Sequence, residues 1–192
     1  VWSRANGVDA TDPASVGAAL LRFTAEHGAP WALVHCVGAF AEQPLLGTDE
    51  ATYRHLFLSN VDSVFHVVRA VVPEMVAAGR GRVVLFAAAG ADKPRAVLRA
   101  PVYFAAKAAV VQLARSLAGE VMGAGVTVNV LAPGLIDHPQ SHRDSQRRML
   151  PRVPAGRLGT PADVVGAVRD RLSEEAGYVA GQIMVVDGGL QL

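Results

Sequence analysis

The 192 residues carry 51% apolar side chains, enough for one well-packed core and too few for two ordinary domains, so 1–192 reads as one domain. Lysine and arginine number 18 against 17 aspartate and glutamate, and a formal charge of +1 gives no electrostatic motive for a nucleic-acid or membrane partner. The one cysteine, Cys36, excludes an internal disulfide framework and fits a reducing, cytoplasmic setting.

Charged residues or proline interrupt every long apolar stretch, and Val1-Trp2-Ser3-Arg4 shows neither a signal-peptide pattern nor an initiator methionine. Asp12 followed by Pro13 supplies an N-cap and a first-turn proline for a helix reaching about His27, where Gly28 ends it. Trp31 to His35 is a short apolar run of the buried-strand kind. Thr48, with Asp49 and Glu50 in the first turn, opens a helical stretch to about Ala78, bent at Asn60 and Pro73. Leu56, Val64, Val67, Val68, Val71 and Met75 form its apolar face.

Arg82 to Phe86 is the second strand, and a helix from near Pro101 to about Met122 follows, with Val110, Leu113, Leu117 and Val121 expected toward the core. Val126 to Leu131 is the third strand. His138 to Arg152 is the least regular stretch and holds six basic side chains, His138, His142, Arg143, Arg147, Arg148 and Arg152, in a solvated loop or an anion-binding lid. Thr160-Pro161 starts a helix to roughly Leu172, and Gln182 to Val186 is the last strand. Strands alternating with helices imply an α/β, Rossmann-like, doubly wound parallel sheet.

Tyr103 and Lys107 lie four apart on one helix face, where an ammonium beside a phenol would lower its pKa and make it a general acid/base for an alcohol or ketone. The pair by itself is also an ordinary surface spacing. His27, His55 and His66 fit a helix end and helix faces and suggest no metal.

The ordered series Gly81-Arg-Val-Val-Leu-Phe86, Tyr103-Phe-Ala-Ala-Lys107, Val126-Thr-Val-Asn-Val-Leu-Ala-Pro-Gly134, Gly177-Tyr-Val-Ala-Gly-Gln182 and Val185-Val-Asp-Gly-Gly189 resembles the short-chain dehydrogenase/reductase family, near its ketoacyl-reductase-like branch. The resemblance implies a sheet in the order 3-2-1-4-5-6-7, of which this chain supplies strands 4 to 7 and the end of strand 3, without the first βαβ unit. It implies NADP or NAD as cofactor and a small carbonyl or alcohol substrate. Tyr103 would exchange the proton, Lys107 would tune it and hold the nicotinamide ribose, and Asn60 would organise a water relay, unless Asn60 only weakens the helix at a bend. Asp9 and Ala10 match the adenine-contacting pair, with a turn as the other reading for Asp9. Gly38 is the glycine kept after strand 4. Pro133, Gly134 and Ile136 match the loop beside the nicotinamide, with a plain turn as the alternative.

Four departures oppose an intact enzyme. No strand–glycine-rich–helix turn is present for the pyrophosphate, since Gly79-Arg80-Gly81 precedes a strand. Ala88 stands at the usual serine position, with two extra residues before Tyr103 and no serine between Phe86 and Tyr103. His35-Cys36-Val37-Gly38 replaces the family's Asn-Asn-Ala-Gly, read as a packed strand end ahead of a metal or nucleophile role. His138 replaces a threonine that contacts the nicotinamide amide.

Two readings follow: an NAD(P)-dependent oxidoreductase with an impaired site, or a non-catalytic homologue acting as a structural or regulatory subunit of a hetero-oligomer. Homo- or hetero-oligomeric contacts are expected through the last strand and the helices at 49–78 and 101–122. Because strand 1 would flank Trp31 to His35, roughly fifty further upstream residues, or a partner, are expected to cover that edge.

Overall fold

The computed structural model describes residues 2–139, 141 and 143–192, so His142 of the basic stretch lies outside the described residues. Four parallel strands, β1 (Ala32–His35), β2 (Gly81–Phe86), β3 (Val126–Pro133) and β4 (Ile183–Val186), form one sheet in the order β1-β2-β3-β4. This is the order expected of strands 4 to 7. The remnant of strand 3 is not a strand, because Arg4–Asn6 forms a single 3-10 turn. An extended segment with no neighbouring strand beside it has no ladder to complete.

The run Val83-Val84-Leu85 is buried on both sides, which explains why it reads as continuously apolar rather than alternating. Val83 and Leu85 face a large core shared with α1 (Pro13–His27), α3 (Ser63–Ala77) and α4 (Pro101–Val121). Val84 and Phe86 face a smaller one under α6 (Pro161–Leu172). Helices therefore cover both sheet faces.

Several helix ends follow their local chemistry. The Asp12 carboxylate accepts from the Ala14 N–H at 3.0 Å, and Thr160 with Asp163 forms a reciprocal capping box. The helix expected from Thr48 is capped one residue later. The Asp49 carboxylate accepts from the Thr52 N–H at 2.7 Å, while the Thr48 hydroxyl donates back to the Pro44 carbonyl. Its first segment, α2 (Glu50–Phe57), joins α3 through a π turn at Leu58–Asp62, so the bend expected at Asn60 is a one-residue underwinding. By length and hydropathy alone the continuous helix Glu50–Ala77 could cross a membrane, but Val64, Val67, Val71 and Met75 are committed to the core.

Two expectations are corrected. Leu113 is not a core residue of α4 but 37% exposed, and the stripe against the sheet is Ala106, Val110, Ala114, Ala118 and Val121. Small alanines let the helix sit close, and the bulkier leucine lies off that stripe. The stretch His138 to Arg152 is not wholly irregular, since it contains α5 (Arg143–Met149) and a 3-10 turn at Leu150–Arg152. Tertiary anchors rather than an apolar face hold α5: Gln146 Nε2 donates to the Ile136 carbonyl at 2.8 Å, and Arg143 pairs with Asp137 at 2.9 Å.

Candidate active site

The parallel strands end at His35, Phe86, Pro133 and Val186 on one side of the sheet, and the residues expected to carry chemistry gather at this carboxyl end. Just beyond β1 the chain passes so close to two helices that a Cβ on Gly38 would lie 2.3 Å from Asn60 Oδ1 and 3.0 Å from Lys107 Nζ. Glycine is required there by space alone. The π turn sets Asn60 at this contact, wholly buried, with Nδ2 donating to the Ala39 and Leu56 carbonyls at 2.9 Å each. Its Oδ1 has no hydrogen-bond partner among the described residues, so a buried acceptor faces the gap between Gly38 and Lys107.

Lys107 is 5% exposed, and its Nζ donates to the Phe86 carbonyl at 2.9 Å. Burial lowers its pKa to about 8, with Cys36 opposing the shift. Tyr103 is half-buried, edge-on to the Phe40 ring at 4.9 Å and to Phe104 at 5.6 Å, and the Lys107 ammonium sits 5.9 Å from its ring centroid. The expected lowering of the phenol pKa is not what this geometry gives. Burial pushes Tyr103 up to about 12, because the ammonium hydrogen-bonds the Phe86 carbonyl instead of the phenol oxygen.

A hydrogen-bonded chain supports this floor from below. Ser63 Oγ donates to the Ser59 carbonyl at 2.6 Å, so it accepts from His35 Nε2, 3.1 Å away. Burial, reinforced by the Lys107 charge, holds His35 down at about 4, a neutral imidazole. Ser59 Oγ accepts from the Ala39 N–H at 3.1 Å. His35 is thus a packed strand end, as the sequence suggested. Burial also raises the Cys36 thiol, although the residue as a whole is exposed.

Ala88, directly after β2, is buried in the large core and brings only a methyl group to the place expected for a hydroxyl. Gly134 donates its N–H to the Val186 carbonyl at 3.0 Å, and a Cβ there would come 2.6 Å from Asp187 Cβ. Ile136 is bridged to Gly159, so the Pro133–Ile136 loop is held by both β4 and the segment before α6. His138 turns its N–H into Ser141 Oγ at 2.8 Å. Asp9 lies in a separate turn, where its carboxylate takes bonds from Thr11 and Arg4; these, Thr11 first, hold its pKa near 2. The turn reading of Asp9 therefore describes its contacts here, and Ala10 packs against the large core.

The lysine, asparagine and glycine thus meet, with tyrosine against the lysine. These residues fit the nicotinamide–ribose half of a cofactor, because a buried acceptor, a charged donor and a backbone held to the space of a glycine converge on one gap. A depression lies elsewhere, lined by Leu135, Ile136, Arg157, Gly159 and Asp163, and the Arg157–Asp163 pair at 2.8 Å runs along it. Geometry and chemistry favour the Tyr103 cluster, since no residue of that cluster lines the depression.

At the rim of the cluster the structure adds residues the sequence did not reveal. Phe40 covers the Tyr103 ring, while Glu42 pairs with Arg99 at 3.4 Å and with Arg148. These ion-pair partners are 57 and 106 positions apart in the chain, beyond any spacing motif.

Comparison with known proteins follows the same lines. The family described as "Enoyl-(Acyl carrier protein) reductase" matches residues 3–191. The 3-oxoacyl-[acyl-carrier-protein] reductase FabG of Escherichia coli (strain K12) is 34% identical, over 96% of this chain and 76% of that protein. Galactitol 2-dehydrogenase (L-tagatose-forming) of Cereibacter sphaeroides is 37% identical, over 94% and 73%. Among solved structures, a gluconate 5-dehydrogenase from Burkholderia cenocepacia J2315 in complex with NADP and tartrate superposes with a TM-score of 0.87 at 30% identity, over 95% of this chain and 73% of the other. ElxO with NADP bound gives a TM-score of 0.89 at 21% identity, covering 96% and 76%, a likeness of fold.

Proposed function

The chain belongs to the short-chain dehydrogenase/reductase family, and from that premise we propose that it is an NAD(P)-dependent oxidoreductase of a ketone or secondary alcohol. The observation that carries the reading is the convergence of Gly38, Asn60 and Lys107 beside Tyr103. A ketoacyl-type substrate accords with the activity named for the E. coli relative, and NADP with the ligand named for the Burkholderia structure.

When bound, the nicotinamide cofactor supplies or accepts the hydride. The chain's own residues do the rest. Tyr103, protonated at neutral pH, holds a proton at its phenol oxygen for delivery to a carbonyl oxygen. Lys107, charged below about pH 8, offers its remaining N–H donors to the ribose hydroxyls. Asn60 Oδ1 is the acceptor for a water or hydroxyl passing a proton behind that lysine. Pro133, Gly134 and Ile136 would border the nicotinamide, and Asp9 with Ala10 would border the adenine, as the family pattern suggests. The proposed oligomer assembles through the last strand and through the helices at 49–78 and 101–122, where Leu58, Phe65 and Leu113 are exposed.

Ala88 favours the second reading, a non-catalytic homologue within a hetero-oligomer. A donor that polarises the reacting oxygen is worth about 2.7–4 kcal/mol, or roughly a hundred- to a thousand-fold in rate. Ala88→Ser separates the two readings, assayed by ketone-dependent NADPH oxidation over simple ketones and β-ketoacyl thioesters. The oxidoreductase reading expects a gain of at most roughly a hundred- to a thousand-fold, reduced where the two-residue insertion misplaces the hydroxyl. NADPH binding without turnover in that variant supports the non-catalytic reading.

A further inference from the structure

The rim of the cleft narrows the substrate class. Glu42, Arg99 and Arg148 come from three segments, the loop after β1, the loop before α4, and α5. Glu42 lies two residues beyond Phe40, whose ring contacts Tyr103 at 4.9 Å, and Arg99 stands in the loop just ahead of α4, the helix that carries Tyr103. Arg148 Nη2 and Arg99 Nη1 both donate to Glu42 Oε1, the second at a long 3.4 Å. Two guanidinium groups are therefore aimed at one carboxylate oxygen, on the segment that brings Phe40 to the Tyr103 ring, two positive charges against one negative.

Asp137, ahead of α5, is taken by Arg143 at 2.9 Å, and Arg95 adds a further cation over the Phe104 ring. The Glu42 side chain is 24% exposed and that of Arg148 37%, while Arg99 at 65% stays largely in solvent, so an added anion meets one partly shielded guanidinium and one in open water. Convergent guanidinium forks match a carboxylate in geometry as well as in charge.

We propose that the substrate is a keto acid or hydroxy acid whose carboxylate engages Arg99 and Arg148 while its reacting oxygen lies at Tyr103. Glu42 holds the two arginines in place and yields to that carboxylate. The choice of reacting atom rests on the oxidoreductase reading; the anion site does not.

The test is calorimetric titration of the protein with levulinate and with methyl levulinate, which share the ketone and differ in the charge. Levulinate is expected to bind about tenfold more tightly. Arg99→Gln and Arg148→Gln should each remove most of that preference while leaving the ester's affinity unchanged. Glu42→Gln should tighten levulinate binding several-fold, a gain that misfolding does not produce. Equal affinity for acid and ester, no binding of levulinate, or a preference that survives both arginine substitutions would overturn the proposal. Turnover is read separately with Tyr103→Phe. If Tyr103 proves irrelevant to ketone reduction while the acid preference depends on the arginines, the oxidoreductase reading fails alone. If reduction depends on Tyr103 but acid and ester bind alike, the anion site fails alone.

Discussion

The floor and the rim of the cleft are built from opposite kinds of interaction. On the floor, His35, Asn60 and Lys107 are buried, anchored to backbone or hydroxyl oxygens, and burial moves the titrations of His35 and Lys107 far from their ordinary values. At the rim, Arg99 and Arg148 reach Glu42 across water-exposed surface and hold three segments together by charge. The floor sets protonation states and the rim sorts ligands. A change on the floor should disturb stability and chemistry together, and a change at the rim should disturb binding alone.

Lys107→Met presses hardest on that contrast. Ketone reduction should fall by roughly a hundred- to ten-thousand-fold, as expected when the partner of a general acid is lost. Stability should move the other way. The folded-state pKa of Lys107 is depressed from 10.5 to about 8, so keeping it charged in the core costs free energy below pH 8. That cost fades as pH rises from 8 to 10.5, where the unfolded chain also loses its proton. Denaturant titration should show the variant more stable by roughly 1–3 kcal/mol at pH 7, after allowance for the lost bond to Phe86, and little different above pH 10.5. A variant less stable at pH 7 would break the account of the floor.

His35 gives an effect of similar size in acid. Its folded pKa is lowered from 6.5 to about 4, so its stabilising contribution is complete above pH 6.5 and is lost as pH falls toward 4. About 3 kcal/mol should disappear over that window in the native protein. In His35→Gln the slope should flatten, and an unchanged slope would place the acid sensitivity elsewhere.

Gly38→Ala should destabilise by about 1–3 kcal/mol, because the added methyl collides with Asn60 Oδ1 and the buried amide has no room to retreat. It should also weaken NADPH binding, measured by fluorescence. The smallest effect belongs to the rim. Arg148→Gln should change stability by only about 0.2–1 kcal/mol, since the arginine is 37% exposed and its ion pair is screened. A loss as large as that for Gly38→Ala would erase the distinction between the two regions.

The same contrast governs what the sequence disclosed. The choice of Asn60 and Gly38 follows from the family resemblance, whereas the strands and the Asp12 and Thr160 caps follow from local periodicity and capping chemistry, and the Tyr103–Lys107 pair from its four-residue spacing. Such features persist because short-range geometry dictates them. The π turn was legible only as a bend, since no residue pattern distinguishes one extra residue per turn from a kink. Leu113 misled because hydrophobicity and burial are not the same thing on a helix whose core stripe is alanine-rich. Phe40, Glu42, Arg99 and Arg148 could not be read at all, because folding alone brings those positions together. The raised Tyr103 pKa was hidden for a related reason: a four-residue spacing places the ammonium on the same face, but the Phe86 carbonyl decides where it points.

The central claim is that Tyr103 moves the proton, and ketone-dependent NADPH oxidation at pH 7 by the native protein and by Tyr103→Phe tests it most directly. The substitution leaves the ring contacts with Phe40 and Phe104 in place, so the fold is preserved and only the phenol is removed. The account predicts measurable reduction by the native protein and a kcat/KM lower by roughly a hundred- to ten-thousand-fold in the variant, with NADPH binding unchanged. Equal rates in the two proteins would contradict it.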